Sequence, residues 1–100
     1  MKPVIFHRLA ESELLKSAKF YDRRVPGLGQ DFLFSVENNF PLIQRNPEIG
    51  KPGKLGSRSW KVKRFPFRIV YFDQPDRFWV IAVAHLSRRP DFWVRRIVET

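Results

Sequence analysis

The sequence predicts an α+β fold: a helix hairpin packed on one face of a small, antiparallel-rich sheet, in the order β-α-α-β-β-β, with a short helical tail. Three observations lead there. Apolar residues recur at spacings of three and four through the first half of the chain. In the second half the period changes to two. The chain then carries an unbroken apolar run from Phe78 to Ala84, the pattern of a strand buried on both faces. A length of 100 residues fits a single domain over 1–100, and a hydrophobic content of 43% supplies its core.

Taken in order, Val4–His7 reads as a short strand, apolar and β-branched and kept from helix by Pro3. From Leu9 to Arg24 the pattern is helical, with Ala10, Leu14, Ala18, Tyr21 and Val25 on one face. Val25-Pro26-Gly27-Leu28-Gly29 ends that helix, since Pro forbids continuation and Gly supplies turn geometry. A second helical pattern begins near Leu28, aligning Phe32, Val36, Phe40 and Ile43, and Pro41 predicts a kink or break inside it. A turn of four or five residues makes the pair an antiparallel hairpin.

Beyond the Gly/Pro loop around Gly50–Gly56, Arg58–Phe65 alternates, with Trp60 and Val62 on one side and Lys61 and Lys63 on the other. Pro66 interrupts, Phe67–Phe72 resumes, Gln74-Pro75-Asp76 turns, and Phe78–Leu86 forms the central strand. In the tail from Pro90 to Thr100, Trp93 and Ile97 are four apart and predict a helical turn or two.

Charge is the next signal. Residues 1–50 hold seven Lys/Arg against six Asp/Glu, whereas residues 51–100 hold twelve against four. Of the net charge of +9, +8 thus lies in the second half, and it calls for an acidic partner: nucleic acid, an anionic membrane or an acidic protein segment. Without Cys there is no disulfide framework or thiolate metal site, and His7 and His85 alone cannot close a structural zinc site. No metal or cofactor is expected. The opening apolar run is too short for a signal-peptide core, and no run approaches a membrane span, so a cytoplasmic chain without a membrane partner is expected.

Two stretches could carry chemistry. In the basic strand Arg58–Arg64 with Arg68, alternation places Lys61 and Lys63 on one face about 7 Å apart, near the spacing of successive phosphates. Trp60, Phe65 and Phe67 interleave there and could stack bases or fill the core. The second stretch is His85–Trp93. Flanking arginines disfavour the imidazolium form of His85, which suits a general acid or base; bonded to backbone, it is a plain strand residue. Arg88 and Arg89 are planar donors for phosphate or carboxylate, and Trp93 reads as a packing anchor for the tail. Lys61, Lys63, Arg64, Arg68, Arg88, Arg89 and Trp93 are therefore the candidate binding residues. Glu11 and Glu13 read as ordinary partners of lysines one turn along their helix. The P-loop, dinucleotide and nucleophile-elbow signatures are absent.

Four pieces in order resemble the RelE/ParE toxin superfamily: Pro26-Gly27-Leu28-Gly29 with Phe32-Leu33 and Val36-Glu37; Asn46-Pro47; Phe65-Pro66-Phe67-Arg68-Ile69-Val70-Tyr71; and Ala82-Val83-Ala84-His85 with Arg88, Pro90 and Trp93. The resemblance spans nearly the whole chain, and it implies the toxin of a type II toxin–antitoxin pair. Its cognate antitoxin would lay an extended or helical segment across it, forming a hetero-oligomer. His85 with Arg88 three residues on, and the lack of any Tyr beyond Tyr71, resemble the ParE-like branch, which inhibits DNA gyrase and serves plasmid stabilization and growth inhibition. The RelE-like alternative is an endoribonuclease on ribosome-bound mRNA. In it Lys61, Lys63 and Arg68 would hold the scissile phosphate, His85 would be the acid or base, and these residues with Arg88 would converge on one face. A non-toxic, basic nucleic-acid-binding relative is the third reading.

Overall fold

A computed structural model describes residues 1–98, so Glu99 and Thr100 of the expected tail lie outside the described residues. The chain runs β1 (Val4–Phe6), α1 (Arg8–Arg24), α2 (Leu28–Glu37), α3 (Phe40–Arg45), β2 (Lys51–Pro52), β3 (Arg58–Lys61), β4 (Phe67–Asp73), β5 (Phe78–His85) and α4 (Val94–Val98). The α+β class and the helical tail are as the sequence predicts.

His7 is more than the end of β1. It is the N-cap of α1, where its Nδ1 accepts the Leu9 N–H at 3.0 Å. An acceptor nitrogen must be unprotonated, and burial, with the charges of Arg96 and Arg8, holds the His7 pKa below its ordinary value. The hairpin turn is tighter than expected, three residues from Val25 to Gly27, with Gly27 left-handed at φ +89°. Gly29 then lets the two helices touch. A Cβ there would stand 2.2 Å from the Ala18 carbonyl oxygen, and the Gly29 N–H donates to Asp22 Oδ1 at 2.7 Å.

The break expected at Pro41 is present, between α2 and α3. Pro41 sits in the first turn of α3, where an absent N–H leaves no helical bond unmade. Asn39 pins the break, accepting the Trp60 indole N–H at 2.9 Å and donating to the Ser35 carbonyl.

The sheet order is β1-β5-β4-β3-β2, with β1 parallel to β5 and every other pairing antiparallel. The two-residue β2 was not apparent from the sequence, being a Lys-Pro pair with no apolar alternation. β3 also ends earlier than expected, at Lys61. The alternation from Arg58 to Phe65 conceals a turn: Arg64 is left-handed at φ +75°, and the Val62 N–H donates to the Phe67 carbonyl at 2.9 Å. Val62 and Phe65 are buried because they plug the core from that turn, not because a strand continues.

One core lies between the hairpin and the sheet, where Tyr21, Phe32, Phe65 and Phe67 pack ring on ring. A second lies on the opposite face, where Trp93, Phe92, Val94 and Ile97 cover Val70, Trp79, Ile81 and Ala82. Trp93 is the anchor of that cover, 2% exposed with its indole N–H on the Pro90 carbonyl at 2.9 Å. The central strand β5 is therefore buried from Phe78 to Ala84, as its composition predicts. Among the described residues no helix is long and apolar enough to cross a membrane.

Candidate functional site

The strand registers decide which cations share a surface. Lys61 stands directly opposite Arg68, and Lys51 opposite Ser59. Val70, two residues beyond Arg68, belongs to the core under α4, so Lys61, Ser59 and Arg68 project from the face away from the hairpin. Lys51, Ser59, Lys61 and Arg68 line one open cleft of about 380 Å³, bounded by Leu86 and Trp60. Across Arg68 a second cleft continues over Lys54 to Asp91, with Trp93 beneath. Lys54 is paired with Asp91 at 3.2 Å. Among the described residues no carboxylate comes within 4.0 Å of Lys51, Lys61 or Arg68. Like charges facing each other across an antiparallel pair are destabilising. The chain keeps such a pair at Lys61 and Arg68.

Lys63 and Arg64 are not part of this surface. Because β3 stops at Lys61, the turn carries them to a different cleft beside α2, lined also by Ser35, Asn38 and Trp60. Arg64 Nη2 lies 3.8 Å from Asp31. The expected pairing of Lys61 with Lys63 on one face is thus replaced by the pairing of Lys61 with Arg68.

His85 falls on the other side of the sheet. It is registered with Phe67, a residue of the hairpin-side core, while its neighbour Ala84 is registered with Arg68. The imidazole is exposed, packs edge-on to Phe67 with centroids 5.4 Å apart, and its Nδ1 accepts the Ser87 N–H at 3.0 Å. Around it Lys16, Ser17, Phe20, Tyr21 and Phe67 line an apolar cleft of about 320 Å³. The single face expected for Lys61, Lys63, Arg68, His85 and Arg88 therefore does not form. His85 and the Lys61–Arg68 pair thus project from opposite faces of the sheet.

Arg88 and Arg96 have structural partners instead. The Arg88 guanidinium covers the Phe92 ring at 3.9 Å, and its Nη1 lies 3.7 Å from Glu13 Oε2. Glu13 is the residue that sequence reasoning placed wrongly. It does not pair along its helix; it takes a two-pronged bond from Arg96, at 2.8 and 2.7 Å, and accepts the Val83 N–H at 3.2 Å. Arg96 Nη1 also donates to the Ile81 carbonyl at 2.8 Å. The cause is a length mismatch. β1 pairs only with Phe78–Val80, so the edge of β5 beyond Val80 needs side chains to complete its hydrogen bonds. Arg89 stands exposed in the turn after β5.

A family model described as the ParE toxin of the type II toxin–antitoxin system parDE matches residues 4–90. Among solved structures, one described as a chromosomal ParDE TA system from P. aeruginosa matches with a TM-score of 0.74. It is 21% identical, over 85% of this chain and 96% of its own, a likeness in fold. A search of curated proteins finds no match.

Proposed function

The chain belongs to the ParE family of toxins of type II toxin–antitoxin systems, and from that premise we propose that it inhibits DNA gyrase by binding and is neutralised by a cognate antitoxin. The observation that carries a binding mode is the separation of His85 from the Lys61–Arg68 pair by the thickness of the sheet. A nuclease needs a proton-transfer group and phosphate-binding cations on one substrate, and these residues address two. The experiment is a supercoiling assay with purified gyrase: inhibition retained by His85→Ala supports the reading, and full supercoiling activity in the presence of the chain sinks it.

The antitoxin is assigned the hairpin side. Phe20 is 50% exposed at the mouth of the cleft that holds Lys16 and His85, with the Arg24 guanidinium 4.8 Å above its ring. Leu15, Val25 and Phe34 add exposed apolar area to the same hairpin. An apolar anchor flanked by cations fits an amphipathic segment carrying acidic residues. Phe20→Glu leaves the core untouched and is expected to weaken antitoxin capture by about 30-fold, the loss of one aromatic hot spot worth about 2 kcal/mol. Unchanged capture would move the antitoxin elsewhere. In a cell the same assignments predict growth inhibition relieved by the antitoxin, with the chain in the cytoplasm and contributing to plasmid stabilization.

A further inference from the structure

The geometry points to the sheet face bearing Lys51, Lys61 and Arg68 as a surface that binds the phosphate backbone of duplex DNA without cutting it. This goes beyond gyrase inhibition and stands or falls separately from it.

The charges come first. Lys61 and Arg68 face each other across β3 and β4, and Lys51 is registered with Ser59 two residues along the same face. Adjacent strands lie about 4.8 Å apart and alternate residues about 7 Å, so the three cations are spaced on the scale of neighbouring phosphates. No carboxylate of the described residues neutralises them within 4.0 Å, and the facing pair repels itself when nothing anionic is bound. The one acid in the adjoining cleft, Asp91, is matched by Lys54. A polyanion relieves the repulsion. An isolated acidic side chain neutralises only one of the three.

The aromatic residues then choose between kinds of polyanion. Single strands are held by bases stacked on exposed rings. On this face Trp93 is buried at 2%, Phe92 lies under the Arg88 guanidinium, and Phe72 packs edge-on to Trp93. Trp60 borders the cleft, but Asn39 holds its indole N–H and its ring packs against the hairpin-side core, so it is not free to stack a base. The half-exposed rings, Phe20 and Phe34, stand on the helices. Cations without a stacking platform contact phosphates and read no bases, which suits a duplex. The imidazole of His85 lies on the opposite face, so the backbone is held and not cleaved.

The test is fluorescence anisotropy of the purified chain with a labelled duplex of about 20 base pairs, and with single-stranded RNA of the same sequence, from about 50 to about 200 mM salt. Tighter binding of the duplex is expected, with log K falling against log salt at a slope of about −3. Lys61→Gln with Arg68→Gln should flatten that slope by about 2, and Lys51→Gln alone by about 1, whereas His85→Ala should leave it unchanged. Both cations are at the surface, and a cooperative thermal unfolding of the double variant with a midpoint no lower than that of the unaltered chain establishes that its fold is intact. Three results would overturn the inference: no duplex binding at the lowest salt, an unaltered slope in the double variant, or tighter binding of the RNA. Supercoiling inhibition by a chain that fails to bind duplex would remove this inference alone and leave the gyrase reading standing.

Discussion

Two arginine-bearing regions of this molecule use the same chemistry to opposite ends. At the β1 side of β5, Arg96 is 11% exposed and Glu13 18%, and their two-pronged bond completes the strand edge where β1 runs out. On the outer face, Lys61 and Arg68 confront each other with no acidic partner within reach among the described residues. The first arrangement stabilises the fold. The second costs stability, and that cost marks the surface as one shaped for something outside the chain. Charge count alone does not distinguish them; what an arginine faces does.

The comparison breaks most sharply at Glu13. Glu13→Ala removes the two-pronged bond to a largely buried guanidinium and the acceptor of the Val83 N–H, and is expected to cost about 2–4 kcal/mol. Thermal unfolding measures this, and a cycle with Arg96→Met should return a coupling of about 1–3 kcal/mol between the two sites. Strict additivity would mean that the pair does not act as a unit.

On the outer face the sign reverses. Lys61→Thr removes the cross-strand repulsion and puts a β-branched residue on the strand, so stability should rise by about 0.5 kcal/mol, read from the midpoint of urea unfolding. A fall in that midpoint would mean that Lys61 already has a stabilising partner, and the contrast with Glu13 would vanish.

The smallest effect is a pH dependence at His7. The folded chain favours neutral His7, whose pKa burial holds below the ordinary histidine value of 6.5. The unfolded chain therefore binds more protons, and stability rises with pH through this window. The contribution of the cap is fully present above the unfolded pKa and is lost as pH falls through the folded one. His7→Asn keeps a capping side chain that does not titrate, and should flatten stability between about pH 7 and about pH 5. A slope unchanged by the substitution would place the titration elsewhere.

Much of the fold was legible because local signals agreed with it. Ala10, Leu14 and Ala18 keep helical period, Pro26-Gly27 stops α1, Pro41 marks the α2–α3 break, and the apolar run into Ala84 announces a doubly buried strand. The errors arose where tertiary contacts imitate or override period. Val62 and Phe65 alternate like strand residues because both enter the core from a turn, so β3 looked longer than it is. β1 pairs parallel with a strand more than seventy residues away, and nothing local to Val4–Phe6 encodes that choice.

The site suffered more, since it depends on register. Lys61 and Arg68 meet only once β3 and β4 are paired, and His85 leaves them only because Phe67, not Arg68, is its cross-strand partner. Glu13 and Arg96, 83 residues apart, had no sequence signal beyond the shortness of the first strand against the length of the last.

We propose that this toxin acts by binding, because its exposed imidazole and its opposed cation pair address different faces of one sheet. Primer extension on a message translated in a reconstituted system, with and without the purified chain, tests it most directly. An uncut message beside inhibited gyrase is the predicted result. Codon-phased cuts that require ribosomes and disappear in His85→Ala would contradict it, and would mean that His85 and the basic face reach one phosphate after all.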